Sequence, residues 1–156
     1  MNQGNGLKLV GNHKLRGFRF NVFWAGSNQE NGIYIGNSTE TITFTAGMLK
    51  NNRKSPIVNC GKYIAITSMT ITSSSHYGIE EQANADYNIY TNNIFRNHEL
   101  KAIKTEGEHN IIKNNIGMQT TSEGQWYENP LVFGLIIIGI VGALIIIAKH
   151  TRAKKW

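Results

Sequence analysis

Cysteine, aspartate and proline are scarce in this chain of 156 residues, which contains only Cys60, Asp86 and two prolines. A single cysteine cannot form an intramolecular disulfide, so stability must come from core burial, oligomerisation or a membrane. Cys60 has no activating partner close to it in sequence, and we expect a small, buried or half-buried side chain rather than a reactive nucleophile. Asparagine is abundant instead, occurring 19 times in the sequence, which argues against a high-temperature origin.

The common catalytic and cofactor motifs are also missing. The sequence contains no phosphate-binding glycine loop, no Gly-x-Ser-x-Gly and no Cys-x-x-Cys. The five histidines lack the spacing of metal ligands, and the stretch HELKA at 98–102 lacks the second histidine of a zinc-protease helix. We therefore expect neither a metal nor a cofactor.

The net charge of +6 is concentrated at the C-terminal end. Residues 1–130 hold 12 lysines and arginines against 10 acidic residues, whereas the last eight residues add four cations and no acid. Two earlier stretches, Lys8 to Arg19 and Lys50 to Lys62, contain no acidic residue. A solvated face is the favoured interpretation of both, and contact with a polyanion or with lipid headgroups is the alternative.

One long apolar run, Leu131 to Ala148, passes eighteen residues without a charged or hydrogen-bonding side chain. At about 1.5 Å per residue it would form a helix roughly 27 Å long, which matches the hydrocarbon thickness of a bilayer. Gly139 and Ala143 form a small-xxx-small step that would let a second helix pack closely, although small residues are also simply tolerated in membrane helices. Three flanking aromatic residues fit a membrane interface: Trp126, Tyr127 and Trp156.

The basic tail after the run raises a question of topology. Its cations, which we expect to contact phosphates of anionic lipid or of nucleic acid, are Lys149, Arg152, Lys154 and Lys155. The positive-inside rule places this tail in the cytoplasm. The N-terminal residues, however, lack the apolar region of a signal peptide. A tail anchor, with the preceding domain kept in the cytoplasm, is therefore the alternative topology.

The rest of the chain has the alternating apolar pattern of β-strands and no convincing soluble helix. In FRFNVFW the pattern places Phe18, Phe20, Val22 and Trp24 on one face. Similar alternation occurs in TITFT and in YIAITSMTIT. The domain before the apolar run is therefore predicted to be all-β.

A repeat runs through this domain, since NIYTNNIF at 88–95 returns as NIIKNNIG at 110–117. Three apolar rows follow a closely similar spacing: Ile33, Ile57, Ile79 and Ile103; Ile42, Ile64, Ile89 and Ile111; and Met69, Ile94 and Ile116. Such a period indicates coils that stack their inward residues in parallel strands. We expect Ile89 to stack on Ile111 in a dry interior, Ile94 to stack on Ile116, and Asn93 and Asn115 to form an asparagine stack.

The repeating segments are NGIYIGNSTETITF, SPIVNCGKYIAITSMTI, YGIEEQANADYNIYTNNIF and KAIKTEGEHNIIKNNI. With their Gly-Ile starts and Ile-x-x-Asn-Asn-Ile endings, residues 31–120 resemble the right-handed parallel β-helix proteins of the pectate-lyase-like repeat family. The resemblance implies a short right-handed parallel β-helix, and an antiparallel sandwich or jelly roll is the alternative. The predicted organisation is a cap or first coil (1–30), a β-coil repeat domain (31–120), a linker with interfacial aromatics (121–130), a transmembrane helix (131–148) and a basic tail (149–156).

Carboxylates and tyrosines supply the remaining candidates for a site. Family members that cleave polysaccharides use clustered aspartates, which Asp86 alone cannot provide. Two carboxylates could still pair among Glu80, Glu81, Glu106 and Glu108, although a solvated acidic patch is favoured. A sugar- or protein-binding strip could come from Tyr34, Tyr77, Tyr87 and Tyr90, although ordinary β-sheet tyrosines are favoured.

These features together predict a non-catalytic, membrane-anchored structural or binding protein rather than an enzyme. The layout resembles minor membrane proteins of membrane-containing phages or viruses, which implies a link between a capsid and an internal virion membrane. Its partners would be the bilayer and capsid-like subunits or further copies of the chain, with nucleic acid or anionic lipid at the tail. The alternatives are a cell-surface adhesin or carbohydrate-binding protein, and a membrane-bound polysaccharide lyase or hydrolase, which the scarcity of aspartate disfavours.

Overall fold

The computed structural model describes residues 2–118, and these residues form fifteen short β-strands. In chain order they are β1 (Leu7–Leu9), β2 (Leu15–Arg16), β3 (Arg19–Asn21), β4 (Trp24–Gly26), β5 (Ile33–Ile35), β6 (Thr39–Thr45), β7 (Met48–Lys50), β8 (Ile57–Asn59), β9 (Lys62–Thr67), β10 (Thr70–Ser74), β11 (Ile79–Glu81), β12 (Ile89–Thr91), β13 (Ile94–His98), β14 (Ile103–Lys104) and β15 (Ile111–Lys113). Apart from β2 and β3, which both pair with β6, successive strands enter different sheets, so the chain winds in coils instead of folding back as hairpins.

Each of the first four coils contributes strands to three sheets, and the last coil contributes β14 and β15 to two of them. The five-stranded sheet has the order β1-β5-β8-β11-β14, and the four-stranded sheet has the order β13-β10-β7-β4. The six-stranded sheet has the order β15-β12-β9-β6-β2, and β3 also pairs with β6. Every pair of strands among the described residues is parallel. The described part is therefore a parallel β-solenoid, and the alternative of an antiparallel sandwich or jelly roll is wrong.

The first predicted apolar row is confirmed by the register of the five-stranded sheet. Ile33 pairs with Ile57, Ile57 with Ile79 and Ile79 with Ile103, and Leu7 precedes them opposite Ile33. Every step of this row, counted along the chain from Leu7, covers an even number of positions. Ile33, Ile57 and Ile79 are fully buried and form part of the core of the solenoid.

The second and third rows are correct only in part, because each contains one odd step. Ile89 pairs with Ile111 and Ile94 bridges to Ile116, as predicted, in parallel neighbours. The residue below Ile89, however, is Ala65 and not Ile64. Ile89 and Ile111 consequently point outward, with 37% and 46% of their surface exposed. The expectation of a dry Ile89–Ile111 stack is wrong, since a shift of one residue moves a strand's side chains to the opposite face.

The segment FRFNVFW is likewise not one strand. It is divided between β3 and β4 by a corner at Val22, whose φ is 53°. Phe20 points inward and stacks on Phe44, with ring centroids 4.8 Å apart. Val22 and Trp24 are 80% and 66% exposed, so the prediction that they share the face of Phe20 is wrong. The corner changes the phase of the alternation, which a pattern of apolar letters cannot reveal.

Left-handed residues mark the corners between sheets. One series, where the chain enters the six-stranded sheet, repeats a φ of 52° to 57° in four successive coils. Thr41 and Tyr63 lie near the starts of β6 and β9, and Tyr87 and His109 lie two residues before β12 and β15. A second series, before the four-stranded sheet, has similar φ values at Val22, Ala46, Ser68, Asn92 and Asn114. Within both series, every step to the next coil covers an even number of positions. Even coil lengths keep inward positions above inward positions, because side chains in a strand alternate with a period of two.

Asparagine ladders hold the corners together, and the predicted stack of Asn93 on Asn115 is confirmed. The Asn93 Nδ2 donates to Asn115 Oδ1 (3.2 Å) and to the Ile66 carbonyl oxygen (2.9 Å), while Asn93 Oδ1 accepts from the Met69 N–H (3.0 Å). Among the described residues, every buried side-chain nitrogen and oxygen has a hydrogen-bond partner. Such satisfaction is what permits a polar interior in a small fold.

Candidate interaction surfaces

Glu81 lies inside the solenoid and not in a solvated patch. It occupies an inward-facing position at the end of β11 and is fully buried. Tyr90 Oη (2.5 Å) and Asn88 Nδ2 (3.1 Å) donate to one carboxylate oxygen. Asn110 Nδ2 (2.7 Å) and the Gly107 N–H (3.1 Å) donate to the other. The expectation that Glu81 belongs to a solvated acidic patch is therefore wrong.

The surroundings of Glu81 make it a structural group. Only glycine fits at position 107, because a side chain there would clash with the Ala85 carbonyl oxygen. The missing side chain lets the Gly107 backbone approach Glu81. The Tyr90 hydroxyl also accepts a hydrogen bond from Asn59 Nδ2 at 2.8 Å. Burial, followed by the negative charge of Glu81, raises the pKa of Tyr90 far above its usual range. Four donors occupy the acceptor positions of the carboxylate, so the cluster joins three coils and leaves no free position for a substrate.

Glu80 and Glu106 lie on the outside and share one cation. Lys104 Nζ is 2.5 Å from Glu106 and 3.8 Å from Glu80, and Glu80 also accepts a hydrogen bond from Ser55 Oγ at 2.8 Å. The hydrogen bond to Glu106 is the main reason that the pKa of Lys104 is raised. These two carboxylates are thus engaged with Lys104 rather than held as a free acid–base pair.

A polar cleft of about 390 Å³ opens beside these groups. Its lining combines amides, carboxylates and one lysine: Asn37, Lys62, Ala83, Asn84, Ala85, Asp86, Glu106 and Glu108. Within residues 2–118, no group of three or more histidine, cysteine, aspartate or glutamate side chains is placed to hold a metal ion. The cleft can offer hydrogen bonds to a polar ligand. Its carboxylates alone do not define a binding or catalytic site.

An aromatic ladder borders this cleft at the corner between the five- and six-stranded sheets. Tyr63 and Tyr87 stack with centroids 5.2 Å apart, and Tyr87 and His109 stack at 4.7 Å. His109 Nδ1 is 3.3 Å from Asp86. Tyr87 stacks against both neighbouring rings, and stacking of this kind occupies the ring faces that a sugar would need.

The predicted tyrosine strip does not exist as a unit. Tyr90 is fully buried in the core. Tyr34 is in the outward row of the five-stranded sheet, and Lys104 lies 5.6 Å from the ring of Tyr77. Only Tyr87 belongs to the ladder, whose other members come from corner positions that period-two patterning does not identify. Cys60, half-buried as expected, has its Sγ 3.9 Å from the Tyr34 hydroxyl, and burial raises its pKa.

A buried serine–histidine pair continues one of the ladders. Asn28 donates from Nδ2 to Asn52 Oδ1 at 2.8 Å, and two coils further on Ser74 Oγ lies 2.8 Å from His98 Nδ1. His98 Nε2 is 3.0 Å from the Ile71 carbonyl oxygen, which fixes it as the donor of that bond. Both side chains are only 7% exposed, and burial lowers the pKa of His98. The pair fills a coil corner and is unsuited to reach an external substrate.

The outer face of the four-stranded sheet carries an aligned row of side chains that is apolar except for Thr70. Its register aligns one residue from each coil into what we call the apolar row: Trp24, Met48, Thr70, Ile94 and Ile116. Four steps between neighbouring strands make the row about 19 Å long. Trp24 and Ile116 are each 66% exposed at its two ends. The row was not predicted because the repeat pattern placed Ile94 and Ile116 in the interior.

The residues predicted to contact membrane or phosphate lie outside the described part of the chain. They are Trp126, Tyr127, Gly139, Ala143, Lys149, Arg152, Lys154, Lys155 and Trp156. The predicted linker and helix lie outside it as well, and these expectations stay predictions. Across residues 2–118, no helix is long and apolar enough to cross a membrane.

No family model matches the sequence, and neither a curated protein nor a solved structure is significantly similar to the chain. The resemblance to pectate-lyase-like repeats therefore extends as far as the parallel β-solenoid itself. Function has to be inferred from the chemistry of this chain's own residues.

Proposed function

We propose that this chain is a non-catalytic, membrane-anchored structural or binding protein whose β-solenoid is a rigid head. The observation that carries the proposal is the run of eighteen apolar residues, Leu131 to Ala148, in the same chain as the solenoid. A charge-free run of this length satisfies its backbone polar groups as a membrane helix and is costly to expose to water. We also propose right-handed winding, since crossovers between parallel strands are right-handed in nearly all proteins.

The placement of the acidic groups supports a non-catalytic head. Glu81 is enclosed by four hydrogen-bond donors, and Glu80 and Glu106 share Lys104. A polysaccharide hydrolase needs two carboxylates placed to act as acid and base, whereas two of the carboxylates that line the cleft are engaged elsewhere, Glu106 with Lys104 and Asp86 with His109. We expect that changing Glu80, Glu106 and Glu108 together to Gln leaves the biological role intact. Loss of that role in a folded triple variant would favour the enzyme alternative.

Two settings are compatible with a single anchor. In a virion with an internal membrane, the head would face capsid-like subunits and the tail cations would meet the packaged nucleic acid. In a cell-surface adhesin, the head would lie outside and the tail would bind anionic lipid of the cytoplasmic leaflet. We favour the virion setting because the four cations after the apolar run would contact packaged nucleic acid directly. Digestion of the head by protease added to intact cells would instead establish the adhesin topology.

Alkaline carbonate extraction tests the anchor. We expect the full chain to remain in the membrane pellet, whereas a variant with Ile137→Lys and Val141→Lys is released. Each lysine at the centre of a membrane helix costs about 2.5–3.5 kcal/mol, so the pair removes most of the drive for insertion. The matched control places the same two lysines at exposed head positions, as Val10→Lys and Leu100→Lys, and should stay in the pellet. Release of the unmodified chain would contradict the proposal.

A further inference from the structure

The outer face of the four-stranded sheet presents exposed apolar side chains to solvent. The inward side of the same strands already fills the core through Ala25, Leu49, Ile71 and Phe95, none more than 6% exposed. The alternate positions on the outer side form the apolar row, in which Trp24, Met48 and Ile116 are 66%, 40% and 66% exposed. Val22, 80% exposed, extends the apolar surface at the adjoining corner. Exposed apolar side chains aligned along one face favour an interaction surface.

The charges of this face have a single sign. Two residues beyond the apolar row, the register aligns Gly26, Lys50, Thr72 and Arg96, so both ionised side chains of this second row are cationic. Lys50 and Arg96 are exposed. The strands β4, β7, β10 and β13 contain no acidic residue, although residues 2–118 include eight. Apolar anchors beside phosphate-binding cations are the combination that an anionic lipid surface attracts.

The acidic residues are concentrated on the other sheets and corners. Glu40 is held by Lys14 and Arg16 at 2.7 and 2.8 Å beside the six-stranded sheet. Glu80 and Glu106 pair with Lys104 outside the five-stranded sheet, and Asp86 is at the corner between these two sheets. Glu99, which directly follows β13, is the acidic residue nearest in sequence to the four-stranded sheet. The head is therefore electrically asymmetric around its axis.

The chain itself brings a bilayer within reach of this face. Leu131 follows Met118 by thirteen positions. An extended connection of that length spans at most about 45 Å, so an inserted anchor would keep the head in the immediate vicinity of headgroups. A head held this close to the bilayer experiences a high effective concentration of lipid, so its own affinity for the surface needs to be only weak.

We propose that the outer face of the four-stranded sheet lies on an anionic bilayer, with Trp24, Met48 and Ile116 at the interface and Lys50 and Arg96 on headgroup phosphates. The inference deepens the proposed function and rests on it, because the anchor is what supplies the bilayer. Tryptophan prefers the interface between hydrocarbon and water, which fits its place at one end of the row. The Tyr63–Tyr87–His109 ladder, on the corner between the other two sheets, stays accessible to a protein partner.

Fluorescence quenching by brominated lipids tests this orientation in the full chain. The sequence contains three tryptophans, so Trp126→Phe with Trp156→Phe leaves Trp24 as the sole reporter. In vesicles with phosphatidylserine and acyl-brominated phosphatidylcholine, we expect at least a twofold loss of Trp24 emission relative to unbrominated vesicles. The matched control adds Trp24→Phe and Tyr34→Trp, which moves the reporter to the five-stranded sheet and should lose less than a tenth of its emission. Adding Lys50→Gln and Arg96→Gln to the Trp24 reporter should at least halve the quenching.

Each other outcome overturns the inference. Unquenched Trp24 in a chain that still resists alkaline extraction would reject the docked face while the anchor stands. Equal quenching with and without phosphatidylserine would reject the preference for an anionic surface that Lys50 and Arg96 are proposed to supply. Unquenched Trp24 with blue-shifted emission and a dimer in detergent by light scattering would assign the face to a second copy. Alkaline carbonate extraction of the same vesicles tests the anchor independently. Release of the chain would show that the anchor itself has failed.

Discussion

Replacing Glu81 with glutamine tests the account of the polar interior with a change of one atom. The substitution keeps the volume and exchanges one acceptor oxygen for an NH2 group. In either orientation of the new amide, that NH2 faces two donors: Tyr90 and Asn88 on one side, or Asn110 and Gly107 on the other. At least one buried donor on that side then loses its acceptor, and the fully buried site offers no water to replace it.

The magnitude follows from the cost of unsatisfied buried groups. Each buried polar group left without a partner costs about 1–3 kcal/mol, and the two affected donors together set a range of about 2–4 kcal/mol after partial relaxation. For a head of this size, that range corresponds to a decrease in melting temperature of about 8–16 °C. Thermal unfolding of the full chain in detergent, followed by the far-ultraviolet circular dichroism of the β-sheets, measures the decrease.

Glu80→Gln is the matched control, one residue away on the outside of the same strand. Its side chain is 22% exposed and its nearest cation is 3.8 Å away, so we expect a loss of no more than about 1 kcal/mol. A second check is a double-mutant cycle with Tyr90→Phe, which should give a coupling energy of about 1 kcal/mol or more with Glu81→Gln. Equal stability of the Glu81 and Glu80 variants, or stabilisation by Glu81→Gln because a buried charge is removed, would refute the reasoning.

Three further predictions concern the ladders, the buried histidine and the corrected register. Asn93→Ala should destabilise the head by about 2–4 kcal/mol, because it leaves the Met69 N–H and the Ile66 carbonyl without partners; the exposed Asn12→Ala is its control, and equal melting temperatures would contradict it. Since burial holds the folded-state pKa of His98 below its unfolded value, stability should be complete above about pH 6.5 and decrease as the pH falls below it; His98→Asn should weaken this dependence in pH-dependent melts, and an unchanged profile would count against it. Ile111→Asp should change stability by less than about 1 kcal/mol because the side chain is exposed, whereas Ile66→Asp, at a fully buried position, should abolish cooperative unfolding.

The coil architecture could be predicted from sequence because its strongest signal is a period. The Ile33–Ile57–Ile79–Ile103 row and the Asn93–Asn115 stack both recur in the structure. Residues of the same type that recur at an even spacing predict a coil even where the individual strands cannot be placed, since stacked residues share one environment.

Which side chains point inward was harder to predict than which residues stack on one another. Two of the predicted steps, Ile64 to Ile89 and Met69 to Ile94, cover an odd number of positions. The corner series of the structure advance by an even number at every coil, so an odd step necessarily joins an inward position to an outward one. Requiring an even step throughout would have placed Tyr90 above Ile66 and assigned Ile89 to the outside, as the register shows.

The environment of Glu81 could not be predicted, because its donors come from four positions dispersed along the chain. Tyr90 and Asn88 are at the next strand of the same coil, and Gly107 and Asn110 belong to the following coil. Sequence proximity to Glu80 indicated an acidic pair, whereas strand alternation sends adjacent side chains to opposite faces. The outward apolar row escaped prediction for the same reason, since apolar residues in a repeat were assumed to be interior.

Hydrogen–deuterium exchange of the full chain in vesicles tests the central claim, a membrane-anchored β-solenoid, most directly. The backbone amides of Leu131 to Ala148 should resist exchange for hours, at least as long as those of the core strand β9, because a bilayer excludes water and a membrane helix bonds its own backbone. Peptides covering the tail after Ala148 should exchange within seconds and serve as the internal reference. Exchange of Leu131 to Ala148 as fast as the tail, while β9 remains protected, would contradict the account.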